Sequence, residues 1–141
     1  MMNIREASEL DYPDLRRIYL ESRRKNFHWE NAEELTLEDF DNDTTEDYII
    51  LVEEDGKILG FAALYLADNF IHCLFVDPTC SGKGVGGLLL NASINKMNTP
   101  LSLKCVSENF KALKFYENKG WRKVVEEGKP GEKYWVLEYN N

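Results

Sequence analysis

The sequence predicts a mixed α+β domain in which helices lie on both sides of a mostly antiparallel central sheet. Two patterns carry this prediction. Three strand-like runs follow one another with only short turns between them, and two amphipathic segments alternate with strands in the second half. The chain has 141 residues, of which 43% are hydrophobic. This length suits one continuous core, so we expect a single domain over residues 1–141.

The N-terminal part begins with a short strand and a helix. Residues 4–7 predict the strand, and residues 12–25 predict a helix with Asp11 as its N-cap and Pro13 in its first turn. The basic side chains of this helix are expected to form a solvated face: Arg16, Arg17, Arg23, Arg24 and Lys25. A second, short helix is predicted near residues 35–40, inside an acidic segment.

The clearest local pattern is an antiparallel meander of three strands. Residues 48–52 are rich in strand-forming side chains, Asp55-Gly56 is a tight-turn pair, and residues 58–66 form the second strand. Residues 70–76 predict a third strand after another turn. Pro78 ends it, because proline cannot donate to the hydrogen-bond ladder.

The second half alternates helices and strands. A glycine-rich turn at residues 82–87 opens a helix that extends to about Met97, and a strand is predicted at residues 101–106. Residues 108–119 predict an amphipathic helix that ends at Gly120. Two closing strands are predicted at residues 121–125 and 134–139.

Composition argues against several partners. The formal net charge of −8 disfavours nucleic acid, because phosphate contacts need clustered Lys and Arg. We expect no membrane contact and a cytoplasmic location, since no run approaches the roughly 18 apolar residues of a membrane helix and residues 1–10 lack the apolar region of a signal peptide. Two histidines and three cysteines without CxxC spacing predict no metal site. Cys80 alone, in a predicted loop, is a candidate for exposure.

A glycine-rich loop with the sequence Ser81-Gly82-Lys83-Gly84-Val85-Gly86-Gly87 stands directly before a predicted helix. Successive small residues let backbone N–H groups converge, and a helix N-terminus adds positive potential. An ordinary turn is the simpler explanation, but this many glycines carry a high entropic cost in a mere connection. The loop therefore indicates a phosphate or pyrophosphate site that binds through backbone N–H groups and does not require a net positive charge on the protein.

The same glycines leave a nucleotide-binding alternative open. Gly82, Gly84 and Gly87 also fit G-x-G-x-x-G, and Glu108 follows about 20 residues on. That fingerprint normally follows the first strand of a βαβ unit, whereas this loop follows an antiparallel meander and Pro78. A nucleotide-dependent oxidoreductase stays a distant alternative, which binding of NAD rather than CoA would support.

Two segments carry a resemblance to a known family. Residues 74–78 (LFVDP), followed by residues 82–86 and Leu88-Leu89, resemble the pyrophosphate-binding motif of the GNAT family, the GCN5-related N-acetyltransferases. Residues 106–116 with Gly120-Trp121 resemble that family's Asn-x-x-Ala-x-x-Phe-Tyr segment. Both motifs occur in the family's order and at its junctions between strand and helix, and the order of elements from Ile4 to Tyr139 matches a GNAT-like fold.

The resemblance implies an N-acetyltransferase that moves the acetyl group of acetyl-CoA directly to a primary amine in a ternary complex, with acetyl-CoA as co-substrate and no metal. The pantetheine arm would follow residues 74–76, in a splay beside the strand after Pro100, where a free backbone N–H polarises the thioester carbonyl. Ser81 stands where the family usually has Gln or Arg, which removes one side-chain contact. The implied cofactor-binding residues are Leu74, Phe75, Val76, Ser81, Gly82, Lys83, Gly84, Val85, Gly86 and Asn109.

The resemblance also suggests an acid for the chemical step, and the sequence offers one candidate base. Tyr116 matches the family tyrosine that faces the CoA sulfur, and a phenol can protonate a departing thiolate at neutral pH. Phe115 and Tyr116 are equally explained as core aromatics, and Asn109 as a plain helix cap. Many relatives carry an acid on the third strand of the meander; here His72 is the polar residue, with a water chain or a structural role as its alternatives.

The amine acceptor is expected among aromatic side chains. Phe27 and Trp29 lie beside an acidic stretch that suits a cationic amine, with Tyr134 and Trp135 as a second choice. Small amine, polyamine, antibiotic and peptide N-terminus all stay open, and a homodimer is compatible with the family. A noncatalytic acyl-CoA-binding or sensory module on the same fold is the main rival function, kept open by Ser81 and the missing acidic base.

Overall fold

The computed structural model describes residues 1–140. Within them, seven strands form one sheet: β1 (Asn3–Glu6), β2 (Tyr48–Glu54), β3 (Lys57–Tyr65), β4 (Phe70–Val76), β5 (Leu101–Val106), β6 (Arg122–Glu127) and β7 (Tyr134–Tyr139). The helices are α1 (Tyr12–Asn26), α2 (Asp39–Asp43), α3 (Val85–Lys96) and α4 (Phe110–Asn118).

The sheet has the strand order β1-β2-β3-β4-β5-β7-β6, and its neighbours pair antiparallel with the exception of β4 and β5. Those two are parallel because the chain leaves β4, crosses through α3 and returns in the same direction. The predicted meander and the predicted, mostly antiparallel sheet are both confirmed.

Each face of the sheet buries its own apolar core, which confirms helices on both sides. The α3/α4 core lies under α3 and α4, and among its fully or nearly fully buried members are Leu64, Leu89, Leu103, Leu113 and Trp121. The α1/α2 core lies under α1 and α2, and among its members are Leu15, Ile18, Phe40, Phe61 and Cys73. Burial of these side chains is the main favourable contribution to folding.

The predicted solvated face of α1 is confirmed for Arg24 and Lys25, which are exposed, but it is wrong for Arg16 and Arg23, which hold α2. Arg16 makes two bonds to the Asp41 carboxylate, at 2.7 and 2.8 Å. Arg23 is only 5% exposed, donates to Asp39 at 3.1 Å and lies 3.8 Å from the centre of the Tyr19 ring. The planar guanidinium suits this combination of ion pairing and stacking. The acidic segment is thereby fixed to α1.

The short helix predicted at residues 35–40 lies further along the chain, at Asp39–Asp43. Residues 32–34 form a 3₁₀ turn, and Leu35 after it is extended with φ −81° and ψ 134°. The helix begins only where the Asp39 carboxylate accepts from the backbone N–H and the hydroxyl of Thr36, at 2.9 and 3.1 Å.

A β-bulge interrupts β4 at His72. Ile71 lies opposite Leu64 and Cys73 opposite Ala63, so His72 is an extra residue with no partner of its own in this register. Ile71 packs in the α3/α4 core, whereas Cys73 packs in the α1/α2 core. Without the bulge, residues 71 and 73 would share a face, since side chains of a strand alternate with a period of two.

Candidate active site

A cleft of about 910 Å³ opens where β4 and β5 separate. The two strands pair only through Phe70 with Ser102 and Ile71 with Leu103. Beyond those pairs, β4 and β5 line opposite walls, and the glycine-rich loop, the start of α3 and the start of α4 complete the cleft. This is the splay that the sequence analysis expected between these strands.

The glycine-rich loop turns twice through left-handed backbone conformations. Gly82 has φ +82° and Gly84 has φ +83°, and a Cβ added at either position would meet no atom within 4 Å. Both glycines are therefore required by the backbone and face open space. α3 begins at Val85 directly after Gly84, and within residues 1–140 no side chain caps its N-terminus. Its first N–H groups are left to bind an anion.

Asp77 fixes the start of this loop. Its buried carboxylate, 1% exposed, accepts from the Thr79 backbone N–H at 3.0 Å and from the Thr79 hydroxyl at 2.9 Å. Arg17 on α1 donates to the same carboxylate at 3.1 Å. Burial opposes ionisation of Asp77, but the bonds from Thr79 and Arg17 together hold its pKa below the usual range. Cys80, directly after Thr79, is 2% exposed, so the expectation that it lies at the surface is wrong.

Three predicted residues of β4 line the wall of the cleft. Leu74 and Val76 pack against the α3/α4 core, and Phe75 packs against the α1/α2 core, where its ring lies 5.0 Å from that of Tyr19. The strand therefore presents its backbone, rather than one continuous row of side chains, along the cleft.

α4 supplies Asn109 at its N-terminus and Tyr116 in its last turn. Asn109 is the N-cap of α4, with its side-chain oxygen accepting from the Ala112 N–H at 3.2 Å, which leaves its amide nitrogen as a donor into the cleft it lines. Tyr116 is 9% exposed and lines the same cleft. Burial raises the pKa of Tyr116, and the nearby Cys105 and Cys73 add to the shift, so its hydroxyl stays protonated.

His72 lies at the end of the cleft with a partner that sequence analysis missed. Its Nδ1 lies 2.7 Å from the Asp47 carboxylate, whose side chain is 5% exposed, while the imidazole is 40% exposed. The two residues are 25 positions apart, and Asp47 is one of many acids in its segment, so no local pattern singles it out.

Phe27 and Trp29 stand together at the cleft, with their rings stacked 4.6 Å apart, and Phe27 also lies 5.8 Å from Phe75. The second choice for the acceptor, Tyr134 and Trp135, lies outside the lining of this cleft among the described residues. Their rings are covered by lysine ammonium groups at 5.2 and 5.0 Å on the neighbouring strands.

The structure thus brings nearly all of the predicted site residues to one cleft. His72, Leu74, Phe75, Val76, Ser81, Gly82, Gly84, Val85, Gly86, Asn109, Tyr116, Phe27 and Trp29 all line it. The side chain of Lys83 is exposed and lies outside the lining.

The charge of the cleft differs from that of the whole chain. Lys25, Lys104 and Lys111 line it together with the carboxylates of Asp77 and Glu108, whereas the chain carries a formal charge of −8. Since Asp77 is paired with Arg17, the local balance favours an anion. A second cavity of about 570 Å³ adjoins His72 and has the opposite character, with the carboxylates of Asp43, Glu46, Asp47 and Asp68 in its lining.

The family comparison agrees with this geometry. A model of the acetyltransferase (GNAT) family matches residues 12–121, which include the glycine-rich loop, β4 and α4. This chain belongs to the GNAT family. It is accordingly an acetyl-CoA-dependent N-acetyltransferase, as the two motifs predicted, and the NAD alternative is not favoured.

Two GNAT relatives with similar sequences come from bacteria. The chain is 28% identical over 127 residues to the peptidyl-lysine N-acetyltransferase YiaC of Escherichia coli, covering 86% of this chain and 84% of the relative. It is 30% identical to the uncharacterized N-acetyltransferase YhfO of Bacillus subtilis, covering 85% of this chain and 89% of that protein.

Solved GNAT structures share the fold. The apo form of YjaB from Escherichia coli superposes with a TM-score of 0.82 at 24% identity, covering 99% of this chain and 97% of that one. The PaiA N-acetyltransferase of Thermoplasma acidophilum, solved with coenzyme A, gives 0.83 at 18% identity and covers 100% and 99%. These similarities confirm the predicted GNAT-like fold.

Within residues 1–140, none of the helices is both long and apolar enough to cross a bilayer. In the same range, no cluster of three or more His, Cys, Asp or Glu side chains is arranged to hold a metal ion.

Proposed function

We propose that this enzyme transfers the acetyl group of acetyl-CoA directly to a primary amine, with both substrates bound together. One observation carries the proposal: the anion-binding loop, the open edge of β4, the protonated Tyr116 hydroxyl and the His72 imidazole all line one cleft. A single cavity that holds both substrates next to an acid and a base favours reaction by proximity.

The residues at the loop fit a pyrophosphate. Gly82 and Gly84 leave open space where a side chain would stand, and the N-terminus of α3 offers N–H groups. Ser81, Val85 and Gly86 line the same corner, and the backbone of Lys83 lies within the loop. The amide nitrogen of Asn109 and the lysine side chains of the cleft add donors.

The unpaired edge of β4 suits the extended, amide-containing arm of coenzyme A. Leu74, Phe75 and Val76 lie beyond Ile71, the last residue of β4 that pairs with β5. Backbone groups on this edge are therefore available to an extended ligand, which would bind as an added strand does at the edge of a sheet. A backbone N–H here would polarise the thioester carbonyl. The bound co-substrate supplies the activated acetyl group, and the chain supplies the positions and the protons.

Direct transfer, rather than an acetylated enzyme, is supported by the thiols of the cleft. Cys73, Cys80 and Cys105 line it; Cys80 is 2% exposed, and burial raises the pKa of Cys73 to about 12 and that of Cys105 to about 11. Only the thiolate is a strong nucleophile. At neutral pH Cys73 and Cys105 therefore offer little thiolate to accept an acetyl group.

A cationic amine suits the acceptor side of the cleft. The stacked rings of Phe27 and Trp29 offer π faces to an ammonium group. The acidic cavity that adjoins His72 adds negative potential, which raises the local concentration of a protonated amine. Relatives such as the peptidyl-lysine acetyltransferase YiaC make a lysine side chain one acceptor to test first.

The test begins with calorimetric titration of acetyl-CoA and of NAD. Gly84→Ala and Gly56→Ala form a matched pair, because both glycines have φ near +80° (+83° and +79°) and both face open space, but Gly56 lies in the β2–β3 turn. Both variants should lose about 1 kcal/mol of stability from backbone strain. Only Gly84→Ala should weaken acetyl-CoA binding, by tenfold or more. Equal binding by both variants would contradict the placement of the pyrophosphate.

Turnover is tested with a set of amines: spermidine, an aminoglycoside, a lysine-containing peptide and a peptide with a free N-terminus. Initial rates should give intersecting lines in double-reciprocal plots, as expected for a ternary complex. Parallel lines, or an acetylated cysteine in the intact mass after incubation with acetyl-CoA alone, would instead show a covalent route.

A further inference from the structure

The Asp47 carboxylate and the His72 imidazole form a pair that the family motifs do not account for. Asp47 Oδ2 accepts from His72 Nδ1 at 2.7 Å. A carboxylate only accepts, so Nδ1 carries the proton and Nε2, at the other edge of the ring, keeps its lone pair. From this geometry we propose that Asp47 is a positioning residue that holds His72 as the base for the amine, an inference that rests on the proposed function.

The β4 bulge gives His72 its place. Because His72 is the extra residue between Ile71 and Cys73, it belongs to neither core and its side chain stays 40% exposed. It lines both the large cleft and the acidic cavity beside it. Bulges re-aim side chains next to active sites. This bulge puts an imidazole where the large cleft and the acidic cavity meet.

Asp47 is held by rigid neighbours rather than by His72 alone. Its backbone N–H donates to the Thr44 carbonyl at 3.0 Å, and the buried Thr44 hydroxyl donates to the Phe40 carbonyl at 2.7 Å. α2 is itself fixed to α1 by Arg16 with Asp41. The carboxylate therefore meets the imidazole from a preformed position, which is what a positioning group requires.

The titratable groups around His72 come from each neighbouring element. Asp43, Glu46 and Asp47 face it from α2 and the segment after it, and Tyr65 and Asp68 face it from the end of β3 and the turn that follows. On β5, the Lys104 ammonium lies 5.2 Å from the Tyr134 ring centre, on the strand beyond. The titratable groups around His72 are thus predominantly carboxylates.

Proton transfers at His72 and Tyr116 accompany the proposed movement of the acetyl group. A protonated amine gives one N–H proton to His72 Nε2, and Asp47 stabilises the resulting imidazolium, which then releases the proton to solvent. The amine nitrogen forms a bond to the thioester carbonyl carbon, and the carbon–sulfur bond breaks. The departing sulfur takes the proton of the Tyr116 hydroxyl, and the second proton lost by the nitrogen restores that hydroxyl through solvent.

NMR of protein labelled with ¹⁵N-histidine tests the hydrogen bond between Asp47 and His72 without any amine substrate. The chain has only His28 and His72, so His28→Gln assigns both signals. The expected result is the Nδ1–H tautomer for neutral His72, and its loss in Asp47→Ala. An Nε2–H tautomer for His72 in the wild-type protein would overturn the proposal.

Kinetics with whichever amine of the set is acetylated tests the role in catalysis. Asp47→Asn should lower kcat at least tenfold and leave the KM for the amine and the Kd for acetyl-CoA within a factor of two, and His72→Gln should lower kcat by roughly 10²-fold. In the His72→Gln background, Asp47→Asn should have no further effect. Asp55→Asn makes the same charge change in the exposed β2–β3 turn and should leave kcat unchanged.

The outcomes separate the two proposals. Full kcat in Asp47→Asn, or an equal further loss in the His72→Gln background, would overturn the positioning role and leave the acetyltransferase intact. Acetyl-CoA binding without acetylation of any amine in the set would count against the acceptor class, while the tautomer of His72 would still decide whether Asp47 orients it.

Discussion

Arg17 on α1 donates to the buried carboxylate of Asp77, 3.1 Å away, and so connects the first helix to the start of the glycine-rich loop. Asp77 closes the end of β4 and holds the turn at Thr79. Arg17 is distant in sequence from the proposed catalytic residues and lies outside both family motifs. Its contact with Asp77 nevertheless fixes the position of the proposed pyrophosphate site.

Removal of Arg17 should loosen this loop. In Arg17→Ala, Asp77 keeps a buried charge with one partner fewer, and we expect a loss of about 1–2 kcal/mol in the free energy of unfolding and weaker acetyl-CoA binding. Denaturant unfolding and calorimetry measure both. Arg122→Ala is the control: its pair with Glu138 has the same length of 3.1 Å but the Arg122 side chain is 70% exposed, so a loss below about 0.5 kcal/mol is expected. Equal losses in the two variants would contradict the argument.

Gly60 on β3 should not tolerate a methyl group. A Cβ there would lie 2.8 Å from the Phe75 carbonyl oxygen and 3.0 Å from a Val85 methyl. Because the first contact is backbone of β4, Gly60→Ala should lower the free energy of unfolding by about 1–3 kcal/mol.

Gly86→Ala is the control for the stability of Gly60→Ala. Its Cβ would meet the Phe115 ring at an ordinary 3.4 Å and lies within α3, so stability should hold or rise by up to about 1 kcal/mol. A Gly60→Ala protein that melts at the wild-type temperature would contradict this argument and show that both β4 and α3 can shift to admit the methyl group.

Two buried tyrosines allow chemistry and stability to be separated. Tyr116→Phe should lower kcat by roughly 10²-fold, because the phenol proton is lost while the ring still fills its place. Tyr19→Phe should leave kcat nearly unchanged but cost about 1 kcal/mol of stability, because the Tyr19 hydroxyl donates to Asp43 at 2.6 Å. If Tyr116→Phe retains full activity, Tyr116 is a core aromatic and another group protonates the sulfur.

Acid should destabilise the protein through Asp11. Asp11 stands at the N-cap of α1, but its carboxylate accepts two bonds of 2.8 Å from Arg5, which lower its pKa from 3.8 to about 2. A lowered pKa means that the stabilisation, on the order of 2 kcal/mol, is complete above pH 3.8 and is lost as the pH falls toward 2. Urea unfolding between pH 5 and 2 should show this slope, and Asp11→Asn should reduce it, leaving the part due to other carboxylates with lowered pKa values such as Asp77.

Local patterns in the sequence predicted the meander and the glycine-rich loop, and the resemblance to the GNAT motif singled out Tyr116. Alternation of side chains within residues 48–76 and the Asp55-Gly56 turn predict the meander. Short motifs at junctions between strand and helix predict the glycine-rich loop and point to Tyr116. In each case the decisive residues are neighbours in the chain, so the pattern that predicts them is visible without a structure.

Features that depend on distant contacts were missed or misplaced. The pairing of Asp47 with His72 and the burial of Arg23 on Tyr19 require α2 to lie against α1, and no periodicity encodes that arrangement. The bulge at His72 is visible only in the register of β4 against β3. Leu35 begins no helix because the residues before it form a 3₁₀ turn.

The separation of β4 and β5 also affects how the fold opens. Strand pairing joins two units of the sheet, β1 to β4 and β5 to β7, through only two residue pairs within the described chain, and beyond those pairs the shared α3/α4 core holds the units together. Amide hydrogens at the open ends of β4 and β5 should therefore exchange with solvent without global unfolding. A ligand that bonds to both walls would couple the two units, so that slowed exchange at residues 73–76 and 104–106 would report its binding before any turnover is measured.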